Sequence, residues 1–202
     1  MSKFLTQHPL ILASASPIRI NLLASLGLKF EIVPANCNED AIKKNLSPLS
    51  SMLALASTLA RSKALDVSNR FPSHFVIAAD QLCIIGNKYL DKPLTHETAM
   101  MHLRLLSGKT HQQLSAYCIA KEGHILWENH DIATLTMREL NDSTIDAYLK
   151  QEQPYHSCGA YHFEGLGKWL FTEIQGSEST IQGLPLFPLA QALVKVAAVS
   201  MA

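Results

Sequence analysis

The chain has 202 residues, 48% of them hydrophobic and 17% charged, which excludes a disordered protein and is enough to bury a substantial core. Seventeen Lys and Arg balance seventeen Asp and Glu, so no overall positive field is available to hold a nucleic acid. The first twelve residues lack a signal-peptide pattern, no run approaches the roughly 20 apolar residues of a membrane helix, and four widely spaced cysteines with no C-x-x-C pair fit a reducing, cytoplasmic setting.

Leu10-Ile11-Leu12-Ala13 reads as a short first strand. Ser16 suits an N-cap and Pro17 a first helical turn; Leu22, Leu23 and Leu26 keep helical spacing, and Gly27 marks the end of that helix. A second strand spans Phe30 to Val33. From Leu49 to Val67 the positions Leu53, Ala56, Leu59, Ala60 and Ala64 mark a long amphipathic helix, with Arg61 and Lys63 toward its C-terminal part. After Phe71-Pro72-Ser73 the apolar run Phe75 to Ala79 ends on Asp80, and Leu82 to Ile85 continues it to a tight turn at Gly86-Asn87. Thr95 caps a helix through Leu106. Segments 113–121 and 124–137, joined by Glu122-Gly123, read as a long antiparallel hairpin. Asn141-Asp142-Ser143 opens one more helix, to about Lys150, and short strands between glycines lead to a closing helix from Leu186 to Val199. With no repeat or linker, residues 1–202 read as one α/β domain.

Several common chemistries are absent: there is no G-x-x-x-x-G-K-[ST], no G-x-G-x-x-G, no G-x-S-x-G and no H-E-x-x-H. What remains is a set of polar residues at the ends of apolar elements. Ser14, Ser16 and Arg19 surround the first strand-to-helix turn, where free N–H groups and a partial positive charge suit a phosphate. Capping alone, with Arg19 solvated, is the other reading of the same residues. Asp80 closes an apolar strand, where α/β folds build ligand sites, although a turn-forming aspartate fits equally. Glu39 and Asp40 offer hard oxygens suited to Mg²⁺ or Mn²⁺, or form a polar loop. Lys63, taken by itself, reads as a solvated lysine.

Eight segments then stand in register. They are Leu12-Ala13-Ser14-Ala15-Ser16-Pro17-Ile18-Arg19, the loop reaching Glu39, Ala60-Arg61-Ser62-Lys63-Ala64, Ala79-Asp80-Gln81 and Lys92-Pro93-Leu94. Leu106-Ser107-Gly108 follows, then Cys158-Gly159-Ala160-Tyr161 running into Glu164-Gly165-Leu166-Gly167, and Gly183-Leu184-Pro185-Leu186. In them the chain resembles the Maf family of nucleoside triphosphate pyrophosphatases. The resemblance implies hydrolysis between the α- and β-phosphates, to a monophosphate and pyrophosphate, with Mg²⁺, Mn²⁺ or Co²⁺. The implied fold is mixed α/β, an elongated, curved sheet flanked by helices with a cleft between two lobes, and a homodimer is implied as well. By position, Asp80, Lys63 and Lys92 take catalytic places, Asp80 as proton acceptor. Ser14, Ser16, Ile18, Arg19, Gln81 and Glu164 take substrate-binding places, and Glu39 and Asp80 the metal places.

Gln81 and Glu164 look like the 7-methyl-GTP subgroup, since the dTTP/UTP subgroup carries threonine and glutamine there. A glutamate accepts hydrogen bonds from the N1–H and amino group of guanine, and its charge favours a methylated, cationic purine. Two residues depart from the family pattern. Ile18 replaces an arginine or tryptophan and forgoes any stacking on a cationic base, a contact worth about 0.5–2 kcal/mol. Asn38 replaces an aspartate and removes a negative charge near the implied metal. A dTTP/UTP pyrophosphatase, which Glu164 argues against, and a catalytically weak nucleotide-binding regulator of cell division are the alternatives.

Overall fold

A computed structural model describes residues 4–45 and 51–202. The first part of the chain forms β1 (Leu5–Gln7), β2 (Leu10–Leu12), α1 (Pro17–Ala24), β3 (Glu31–Ile32), α2 (Glu39–Asn45) and α3 (Met52–Arg70). Next come β4 (Phe75–Ile85), β5 (Lys88–Leu90), α4 (His96–Leu106), β6 (Thr110–Lys121), β7 (His124–Met137) and α5 (Asp142–Glu152). A 3-10 turn at Leu166–Leu170 leads to β8 (Phe171–Gln175), α6 (Glu178–Ile181), α7 (Leu186–Lys195) and β9 (Val199–Met201). The fold is mixed α/β. Its main sheet runs β3-β2-β4-β6-β7-β8, with β5 beside β4, while β1 and β9 form a separate antiparallel ribbon.

Local rules explain most of these elements. Thr95 and Asn141 accept the N–H groups of Thr98 and Thr144, so α4 and α5 begin where the cap residues place them. Gly86 takes φ +59 in the turn between β4 and β5, a conformation that favours glycine. Several expectations are corrected. Ser16 holds the N-cap position of α1 but makes no side-chain cap; its own N–H instead donates to Ser14 Oγ at 3.2 Å. The strand expected over Phe30–Val33 is only β3, Glu31–Ile32. Leu49, the expected start of the long helix, lies outside the described residues, and α3 continues past Val67 to Arg70. Arg61 and Lys63 are therefore mid-helix. The closing helix stops at Lys195, and Val199 turns out to open β9. Asp80 does not close a strand, because β4 runs through it to Ile85.

By compactness the chain divides into two units, and β4, β6 and β7 each give residues to both. The first comprises Met1–Asp80, Ser115–Asp131 and Gly183–Ala202. Its core gathers Leu10 and Leu12 of β2, Phe75, Ile77 and Ala79 of β4, Leu23 of α1, and Leu189 and Leu193 of α7. The second unit comprises Gln81–Leu114 and Ile132–Gln182. There Leu103 and Leu106 of α4 and Ile145 and Leu149 of α5 pack with Leu135 and Met137 of β7 and with Tyr161, Phe163 and Phe171. Among the described residues, no helix is long and apolar enough to cross a membrane.

Candidate active site

In the first unit, β2 pairs in parallel with β3 through Leu12↔Ile32 and with β4 through Leu12↔Ile77. β2 and, beyond it, β3 stop at that level while β4 goes on. Asp80 thus lies about 10 Å beyond the last register pair, at strand rise. The carboxyl edge of parallel strands is where open α/β sheets hold ligands, because the loops leaving the strands converge there. Here those loops carry Ser14 and Ser16 after β2 and residues 33–38 after β3.

Alternation along β4 sets the direction of Asp80. Phe75, Ile77 and Ala79 face the core with α1 and α7, so Asp80, in step with Val76 and Ala78, points to the other face. There α3 presents Lys63, flanked by the buried Leu59, Ala60 and Ala64. Lys63 Nζ lies 2.7 Å from Asp80 Oδ1 and 3.0 Å from Glu39 Oε1. The Lys63 and Asp80 side chains are only 13% and 11% exposed. The reading of Lys63 as a solvated lysine is therefore corrected: one ammonium holds two carboxylates together that would otherwise repel.

Glu39 owes its place to a clamp the sequence did not reveal. Asp66 of α3 accepts the Asn36 N–H at 2.8 Å and pairs with Arg70, which also donates to the Pro34 carbonyl. This fixes the strand-to-helix segment before α2. Asn38 Oδ1 then accepts the Ala41 N–H at 2.9 Å, capping α2, so asparagine keeps the cap an aspartate would make and loses only the charge. Glu39 and Asp40 form the first turn of α2, where acids complement the helix dipole, rather than a polar loop. Between them and the strand, burial pushes the Cys37 thiol up, against the opposite pull of Lys63.

Arg19 is not solvated. Its Nε donates to the Gly183 carbonyl at 2.9 Å and its Nη1 to the Ala79 carbonyl at 2.8 Å, which ties α1 to the residue before Asp80 and to the turn leading to α7. Ile18 and Ser16 are half-buried at the start of α1. The first unit therefore brings together Glu39, Lys63 and Asp80, with Arg19 braced one residue away in β4. Among the described residues no group of three or more His, Cys, Asp or Glu could hold a metal ion. The carboxylates of Glu39 and Asp80 nonetheless meet at the Lys63 ammonium, and a divalent cation that completes its shell with water and phosphate oxygens asks for only one or two such carboxylates.

The remaining candidates lie in the second unit. Gln81 commits its amide to that unit's interior, donating through Nε2 to Ile181 O at 2.6 Å and more weakly to Thr180 O. Lys92 is exposed between β5 and α4. Glu164 is exposed in the turn before Leu166–Leu170. That turn is held by Glu152 and Tyr148 of α5, neither of which sequence reasoning singled out; residues more than ten positions apart leave no local signal.

The model of the Maf-like protein family matches residues 9–196. A nucleoside triphosphate pyrophosphatase of Legionella pneumophila (strain Corby) is 58% identical over 196 residues, 97% of this chain and 98% of that protein. A nucleoside triphosphate pyrophosphatase of Nitrobacter winogradskyi is 44% identical over 90% of this chain and 91% of its own length. A 7-methyl-GTP pyrophosphatase of Rhizobium etli is 43% identical over 183 residues, 89% of this chain and 92% of that protein.

Proposed function

The chain belongs to the Maf family, and from that membership we propose that it is a nucleoside triphosphate pyrophosphatase acting on 7-methyl-GTP or a related modified purine nucleotide, with a divalent cation. The observation that carries the reading is Lys63 held between Glu39 and Asp80 at the carboxyl edge of three parallel strands. Hydrolysis of a phosphoanhydride needs a base for the attacking water and positive charge for the phosphates. Asp80 supplies the base: Lys63 occupies Oδ1, and the proton of the water passes to Oδ2. Lys63 offsets the charge that builds on the phosphates as the bond to the bridging oxygen breaks and pyrophosphate leaves. Glu39, beside Asp80, would hold Mg²⁺, Mn²⁺ or Co²⁺, which when bound would supply further positive charge to the phosphate oxygens.

Support for the base comes from Glu164 and from the Rhizobium etli relative. An exposed carboxylate is acceptor-only, as the N1–H and amino donors of guanine require. Gln81, whose amide is already bound inside its unit, acts by position rather than by reading the base. Pyrophosphate release from 7-methyl-GTP, GTP, dTTP and UTP, with each metal, tests the proposal on the wild type and Asp80→Ala side by side. Release led by 7-methyl-GTP and abolished in Asp80→Ala is expected. A lead for dTTP or UTP would overturn the base assignment, and nucleotide binding without turnover would overturn the enzyme.

A further inference from the structure

The carboxylate that the proposed function assigns to the base sits on a turn held from beneath by a second carboxylate. Glu152, the last residue of α5, has a side chain only 17% exposed. Its Oε1 accepts the Leu166 N–H at 3.2 Å, and its Oε2 lies 3.4 Å from His162 Nδ1. Tyr148, one turn earlier on the same helix, accepts the His162 N–H at 2.9 Å. The turn also closes on itself, because the N–H groups of Gly165 and Gly167 both donate to the His162 carbonyl, at 3.3 and 3.0 Å. Phe163 is buried in the core. Every residue from His162 to Gly167 is thereby fixed by its backbone or its burial, save Glu164, which alone among them carries an exposed acid outward.

The glycine after Glu164 shows how close the support comes. A Cβ at Gly165 would stand 2.5 Å from Glu152 Oε2 and 3.0 Å from Oε1, so the backbone passes directly over this carboxylate, and any larger residue there would push the Glu152 side chain aside. Glu152 and Glu164 both lie within electrostatic reach of Tyr148: burial first, and then the two negative charges, push its phenol above the ordinary range. A second acid beneath the turn, bonded on one side to a backbone N–H and lying on the other against the His162 ring, is an expensive arrangement for stability alone, since an apolar contact would serve.

We propose that Glu152 is a positioning residue for base selection: it holds the 162–167 turn so that Glu164 meets the donor edge of the purine. The proposal rests on the reading of Glu164 as the base-facing carboxylate. Glu152 touches neither phosphate nor water in this scheme. Its loss therefore weakens discrimination between nucleotides through KM and leaves kcat at saturation near that of the wild type. Glu152→Gln keeps an acceptor for the Leu166 N–H and so retains the turn; Glu152→Ala does not.

The test compares kcat and KM for 7-methyl-GTP and dTTP in the wild type, Glu152→Ala, Glu152→Gln, Glu164→Ala and the Glu152→Ala/Glu164→Ala double variant. Hydrogen exchange of the 162–167 amides is measured alongside. Glu152→Ala should lower the 7-methyl-GTP to dTTP preference about tenfold, the size of one lost hydrogen bond to a charged group. The change should appear in KM, with faster exchange confined to the turn. Glu152→Gln should stay within about twofold of the wild type. In the Glu164→Ala background, Glu152→Ala should cost no further selectivity, because the two act as one unit. Equal losses on both nucleotides, an additive double variant, or unchanged exchange in Glu152→Ala would each overturn the proposal. A wild type with no purine preference overturns the reading of Glu164 itself, and it is seen before any Glu152 variant is made.

Discussion

At the scale of single residues, the strongest constraint is the ammonium shared by two acids. Lys63 has two carboxylate partners, whereas the partner found for Asp80 is Lys63. Removing either side of the pair is thus not symmetric. Lys63→Met leaves Asp80 as a charge only 8% exposed, with Glu39 still nearby, and leaving a buried charge uncompensated costs about 3 kcal/mol or more. Asp80→Asn leaves Lys63 paired with Glu39, and should cost less than half as much. Both variants should lose pyrophosphate release, Asp80→Asn by at least about 100-fold through the missing base. Urea unfolding at neutral pH reads the stabilities. Equal destabilisation by the two substitutions would show that Glu39 does not share the ammonium in solution.

At the scale of elements, the site depends on where strands stop and on what ties their ends together. The Arg19 guanidinium joins α1, the Ala79 carbonyl of β4 and the Gly183 carbonyl with two of its donors, a span that a single lysine ammonium does not match. Arg19→Lys should therefore cost about 1–2 kcal/mol, which for a chain of this size lowers Tm by roughly 3–6 °C. An unchanged Tm would mean that the fork does not brace these elements. How far such features were legible follows from the range of the interaction. Thr95 and Asn141 announce α4 and α5 because a cap bonds to a residue three positions on. The β6–β7 hairpin was readable for a similar reason, since Glu122-Gly123 joins adjacent strands. Helix α2 was missed because Glu-Asp-Ala-Ile-Lys-Lys-Asn has no apolar stripe and is fastened from α3 by Asp66 and Arg70. The β1–β9 ribbon was missed because Thr6 and Ser200 meet from opposite ends of the chain. Asp80 stood out in the sequence as an acid after apolar residues, but nothing local showed that β4 would pass through it, or that Lys63 would reach it.

At the scale of the whole molecule, stability rests on the two cores, and one of them holds an ionisable ring whose charge state the fold dictates. His111 is 2% exposed in the second unit, beside Phe171, with Nε2 at 2.9 Å from the Tyr161 hydroxyl, to which Gln113 also donates at 2.7 Å. Burial lowers its pKa from 6.5 to about 4. Its Nδ1 is buried without a hydrogen-bond partner among the described residues, so a second ring proton would find no acceptor there. Between those two values the unfolded chain binds a proton on this residue that the folded chain refuses. Unfolding is then favoured as pH falls: the protein has its full stability above pH 6.5 and loses it progressively down to about pH 4. At about 1.4 kcal/mol for each tenfold in proton concentration, the loss is about 3 kcal/mol. The carboxylates whose pairing lowers their pKa, Glu128 with Arg61 and Asp142 with Arg104, add a further loss that begins as pH falls through their ordinary values and continues below them. Replacing the ring by a group that does not titrate isolates the effect. His111→Phe forfeits one bond to Tyr161 and should be less stable at pH 7, yet its unfolding free energy should fall less steeply than that of the wild type between pH 6.5 and 4.5, the remaining slope coming in part from His102, whose pKa burial also lowers. Urea denaturation of both proteins across that range decides the matter, and parallel curves would show that the acid sensitivity arises elsewhere than in this buried ring.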